Sequence, residues 1–198
     1  MVKRCHLFFQ DKGADRLEHN RLHRLIFFAL CCDLGLVSKR LIAPIANVIT
    51  DSLHIPGGIG TSFSLMFLVL AAALLPRFGC ATLMGAVQSL MALALGMIGS
   101  MGALSPIGYI VPGLVIDIVL LLSRKLNVRQ DAAMMVANML AAASSGLTAN
   151  LIVFRLTGSA LALYIAIALT SGAICGSLAE SLRLRLMPIV GGEGYVKP

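Results

Sequence analysis

Polar side chains that interrupt apolar runs are the residues through which this chain could do chemistry. Asp117 heads them, in "GYIVPGLVIDIVLLLSRK" from Gly108 to Lys125. A carboxylate at the centre of a membrane helix costs roughly 2.5–3.5 kcal/mol on insertion scales, so it faces a bundle interior or a water-filled cavity. There it either contacts a solute or pins two helices through a hydrogen bond. Pro112 removes an amide donor one turn earlier and displaces the carbonyl of Gly108, so a kink beside Gly113 opens space on the outer half of the helix. Asn138 and Ser145 share a face of a second apolar run, Asn150 lies near its end, and Gln88 interrupts a third. Taken singly, each amide is interhelical glue worth about 0.6 kcal/mol. Their joint presence on three runs favours a polar cavity.

The same inventory argues against catalysis. No Ser/His/Asp order, Walker loop or HExxH pattern occurs, so the chain reads as a non-enzyme with no cofactor of its own. Cys5, Cys31, Cys32, Cys80 and Cys175 form an odd set without metal or redox spacing and read as small apolar packing residues. His6, His19 and His23 fall in a basic tail.

Composition indicates what must position the polar residues. Of 198 residues, 58% are hydrophobic, only 13% are charged and none is Trp. Soluble domains average about 45–50% apolar and about 25% charged, so this is the composition of an integral membrane protein. The expected fold class is all-α, a six-transmembrane-helix bundle with both termini cytoplasmic. Residues 1–21 form a basic N-terminal tail, 22–182 the membrane domain and 183–198 a C-terminal tail. The first span runs from Leu22 to Ile49, interrupted by Lys39, Arg40 and Pro44. "TSFSLMFLVLAAALLP" and "CATLMGAVQSLMALALGMIG" are the second and third. The fourth covers Ile107 to Leu122, the fifth Ala132 to Val153 and the sixth Ala160 to Leu182.

Orientation follows from charge, because Lys and Arg in short flanking segments stay on the cytoplasmic side. With both termini inside, all of the 16 Lys and Arg except Lys39, Arg40 and Arg155 fall inside. Topology thus accounts for the net charge of +7, and no nucleic-acid partner is expected. Small residues recur at spacing four in Ala81, Gly85 and Ser89 and in Ala168, Gly172 and Gly176, stripes that serve packing inside the bundle or docking onto another membrane protein. Glu180 and Arg183 are spaced for an interface salt bridge.

Between about Ala29 and Leu122 the run "LHIPGG…SFSLMFLVLAAALLPRFGCATLMGAVQSLMALALGMIG…GYIVPGLVIDIVL" resembles the S components of energy-coupling factor (ECF) vitamin transporters. The proline-glycine loop, the "RFGCATLMGAVQ" turn and "PGLVID" are its most specific parts. The resemblance implies a multi-pass protein of a prokaryotic cell membrane that captures a vitamin or precursor from outside, such as thiamine, hydroxymethylpyrimidine or a corrinoid precursor. Its partners would be a transmembrane coupling subunit and two ATPase subunits, which alone hydrolyse ATP.

Carried onto this sequence, the resemblance makes the loop from Ser52 to Gly60 a lid, with Ile55, Pro56, Gly57 and Gly58 at its centre. Tyr109, Asn150, Asn138 and Asp117 would line the site, and His54 is counted with them. The family's Ala-x-x-x-Ala docking patch falls on Ala29 and Asp33, where a carboxylate replaces the second small residue. The metal-transporting branch uses an N-terminal Met-His-Ile-Pro, whereas "HIPGG" here is internal and offers no free amine, so no metal site is expected. Two other classes stay open: a structural or assembly membrane protein, and a stand-alone secondary transporter, which the lack of inverted repeats disfavours.

Overall fold

Once backbone groups lose access to water, an apolar chain satisfies them within helices, and every described element of this protein is helical. The computed structural model describes residues 22, 25–42, 45, 59–75, 78–96, 104–155 and 158–190. Helix α1 occupies residues 25–42. It is followed by α2 (Ile59–Leu74), α3 (Cys80–Ala94), α4 (Ser105–Lys125), α5 (Gln130–Ala149) and α6 (Ser159–Val190). A single turn of π-helix, Asn150–Phe154, extends α5.

Three stretches are long and apolar enough to cross a membrane: Ser105–Lys125, Gln130–Val153 and Ser159–Leu186. Helices α2 and α3 are apolar but have only 16 and 15 residues. At 1.5 Å per residue α2 is about 24 Å long, short of the roughly 30 Å of a hydrocarbon core. Large apolar side chains stand outward on all sides, including Leu25, Leu30, Leu34 and Leu41 on α1 and Leu163, Ile174 and Leu178 on α6. That surface suits lipid rather than water.

Close helix crossings come from the small residues. A Cβ added at Gly172 would meet the Cα of Met139 at 2.8 Å, and one at Gly176 the Cα of Met135 at 2.7 Å. Progress along α6 thus matches regress along α5, and the two are antiparallel. Likewise a Cβ at Gly85 would lie 2.5 Å from the carbonyl oxygen of Tyr109, and one at Gly113 2.7 Å from that of Ala81, which makes α3 and α4 antiparallel. Both stripes are used within the bundle. Gly79, at φ 87°, makes the tight turn into α3 in a conformation that disfavours a side chain. Gln88 lies against both Cys32 and Gly35, so α3 packs on the middle of α1.

Helix α6 continues beyond Leu182 to Val190. Its charges begin where Arg183 donates to both oxygens of Glu180, at 2.6 and 2.7 Å, forming the ion pair anticipated from their spacing.

The crossings allow a direct test. Gly176→Val forces a branched side chain against backbone that cannot yield, and should destabilise the bundle by about 1–3 kcal/mol, the usual cost of overpacking. Ser177→Val, at an exposed neighbour, should leave thermal unfolding in detergent unchanged. Equal melting temperatures for the two variants would rule out the close α5–α6 crossing.

Candidate functional site

The first turn of an α-helix has backbone amides without internal partners, and α3 begins without any side-chain cap of its own. Asp117 of α4 supplies one. Its Oδ1 accepts from the amide of Ala81 at 3.1 Å, and its Oδ2 from the amide of Thr82 at 2.8 Å and the Thr82 hydroxyl at 2.6 Å. The carboxylate is 5% exposed, and its charge faces the positive end of the α3 dipole. From the sequence, the expected lock joined the fourth helix to the fifth through Asn138. The structure corrects the partner: Asp117 locks α4 to α3, because the antiparallel crossing at Gly113 and Ala81 presents an uncapped helix terminus to it.

Beside Asp117 is a cleft of about 20 Å³ lined by Ala72, Phe78, Leu120, Leu121 and Arg124. Its volume matches that of a site for one bound water rather than a vitamin. Arg124 partly closes it by donating to the carbonyl of Ala72 at 3.4 Å.

Asn138 is fully buried halfway along α5. Its Nδ2 donates to the carbonyl of Gly172 at 2.9 Å and, at 3.4 Å, to that of Ser62. Ser62 and Ser171 hydroxyls pair at 2.8 Å, closing a node among α2, α5 and α6. Asn138 Oδ1 has no hydrogen-bond partner. Gln88 donates to the carbonyl of Cys32 at 3.1 Å and ties α3 to α1, and Ser64 donates to that of Gly35 at 2.9 Å and ties α2 to α1. The polar residues expected to line one cavity are therefore distributed among separate helix contacts.

A different group gathers toward the start of α4, about two turns from Asp117. Tyr109 is in the first turns of α4, and the ammonium of Lys39 sits over its ring, 3.5 Å from the centroid. Antiparallel packing brings Asn150, at the end of α5, to this end too. Asn150 is 6% exposed where α5 widens into its π turn, and the turn closes with the Arg155 amide donating to the Asn150 carbonyl at 2.8 Å. Tyr164, 7% exposed, packs against Gly146 on the same end of α5 and α6.

Ser62 of α2 is level with Asn138 and Gly172, both near the middle of their helices. Sequence reasoning treated Lys39 as an interruption of the first span and as one of three basic residues on the outer side. The signal was there, a cation inside an apolar helix, but its position over Tyr109 is a tertiary contact.

Ala29 and Asp33 are both exposed, one turn apart on the outward face of α1 among Leu30, Leu34 and Val37. His54, Ile55, Pro56, Gly57 and Gly58 lie outside the described residues. Among the described residues, no group of three or more His, Cys, Asp or Glu is placed to hold a metal ion.

These assignments separate structure from binding at Asp117. Asp117→Ala leaves amides of the α3 terminus unpaired and should lower stability by about 2–3 kcal/mol, as expected for losing charge-assisted bonds. Asp117→Asn keeps an acceptor oxygen and should lose less. Unchanged melting of Asp117→Ala in detergent would overturn the capping role.

Comparisons with protein-family models, curated proteins and solved structures find no match for this chain.

Proposed function

We propose that this chain is the solute-capturing membrane subunit of an energy-coupled importer of the ECF type, with six spans and both termini cytoplasmic. The observation that carries the reading is the contact of Lys39 with Tyr109 at the end of the bundle to which Asn150 also belongs. Asp117, Gln88 and Asn138 are engaged in helix-to-helix bonds. Lys39 and Tyr109 are in contact near the start of α4, the end of the bundle at which α5 finishes with Asn150. With the basic connector Arg124-Lys125-Arg129 inside, that end faces outward, where a capture subunit meets its solute.

In this reading a vitamin or precursor binds at the outer end, among Lys39, Tyr109 and Asn150, with Asn138 beneath. Asp117 keeps α3 and α4 in register and stays out of contact with the solute. The exposed Ala29–Asp33 face of α1 serves the transmembrane coupling subunit, and the two ATPase subunits supply energy. An assembly role is the second reading. It is favoured by the engagement of Asp117, Gln88 and Asn138 in helix contacts and by the carboxylate of Asp33 on a lipid-facing surface.

A thermal-shift screen of the detergent-purified chain against vitamins and precursors tests the choice, with native mass spectrometry for copurified solute. A ligand at 100 times its dissociation constant should add about 2.7 kcal/mol to the folded state. Asn150→Ala should weaken that ligand while Asp117→Asn leaves its affinity unchanged. A flat panel without copurified solute would favour assembly over capture.

A further inference from the structure

Lys39 is a cation whose charge the described residues do not answer. It is half-buried, and its one identified partner is the face of Tyr109, 3.5 Å away. The described carboxylates lie elsewhere. Asp117 faces α3 about two turns from Tyr109 along α4, Asp131 and Glu180 are engaged with Arg129 and Arg183 at the far end, and Asp33 is nearly two turns back on the outward face of α1. The basic residues at the Lys39 end are Lys39, Arg40 and Arg155, the last two exposed.

Backbone adds to the same sign. Helix α4 has no acidic residue in its first turn and opens toward this end, so its amide terminus and one ammonium lie on the same side of the bundle, an arrangement that favours an anion.

We propose that Lys39 is the counter-charge for an anionic group, a carboxylate or a phosphate, on the captured solute, with Tyr109 holding the ammonium in place from beneath. The proposal rests on the solute-capture reading and narrows it to organic acids and phosphate esters. The occupant is the soluble anion rather than a lipid headgroup. Arg40, next in sequence and exposed, is the side chain placed for headgroups, whereas Lys39 is turned inward onto α4.

The test uses the full chain in phosphatidylcholine nanodiscs and a panel of carboxylated and phosphorylated vitamins, each paired with its amide, ester or dephosphorylated counterpart. At least one acid should bind while its neutral counterpart binds far more weakly. Lys39→Met should weaken the acid roughly 30-fold or more, as for removing one member of a desolvated charge pair, and Lys39→Arg should restore part of it. Replacing the lipid by phosphatidylglycerol should leave acid binding in place.

Acid and neutral members binding wild type equally, with Lys39→Met unaffected, would overturn the counter-charge while leaving solute capture intact. Stabilisation by phosphatidylglycerol alone, lost in Lys39→Met, would assign the site to lipid. Binding by no member would remove both readings together. The comparison of paired ligands on wild type holds even where a variant folds poorly.

Discussion

A helix end that starts inside an apolar bundle must find acceptors for its free amides, and the start of α3 finds them in a single carboxylate. An unpaired buried amide costs about 1–3 kcal/mol, and a buried unpaired carboxylate costs more. Asp117 and the α3 terminus remove both penalties at once. Their contact fixes the register of α3 on α4, which in turn allows Gly113 to meet Ala81 and Gly85 to meet Tyr109. A shift by one turn would set side chains against those glycines and leave the carboxylate facing apolar neighbours. From α3 the constraint passes to α1. Gln88 holds the Cys32 carbonyl, and two turns further on α1 places Lys39 above Tyr109.

The second half of the bundle is organised on a different principle. Helices α5 and α6 are in contact through backbone at Gly172 and Gly176, where no driving force from water is needed because close packing alone favours association. Asn138 adds a hydrogen bond to the Gly172 carbonyl at the same level, so the tightest crossing is also the polar one. Helix α2 joins them through Ser62 and is buried on every face from Leu65 to Ala72.

The long apolar elements were legible in the sequence because lipid imposes a single rule on length and hydropathy. The fourth span, expected from Ile107 to Leu122, is Ser105–Lys125, and the sixth, expected from Ala160, begins at Ser159. The later end of α6 was not legible, since Glu180 and Arg183 neutralise each other across one turn and the helix continues through them. Six apolar runs were expected to be spans, whereas length and composition support crossing for three of the described helices. The partner of Asp117 was hidden for a different reason. A cap delivered from 36 residues away leaves no local motif, and the acceptor-rich helix start at "GCATL" has no side chain that announces its need. Asn138 was rightly picked out as polar and buried, yet its partners are backbone carbonyls, which sequence does not distinguish.

The lack of a carboxylate near Lys39 among the described residues gives its contact with Tyr109 its significance. Cation–π contact with Tyr109 is worth about 0.5–2 kcal/mol, depending on how far the ammonium is desolvated. Withdrawing an ammonium from water costs several kcal/mol, even after relaxation. The ring alone therefore cannot hold a dry Lys39, and the difference must come from water or from an anion. A flexible four-carbon stem would let the ammonium reach for the surface, as lysines near helix ends do. Here it is instead directed inward onto α4. In the proposed site an anion gives the ammonium a full charge partner beside the start of α4, so that binding would relieve a cost the fold already carries.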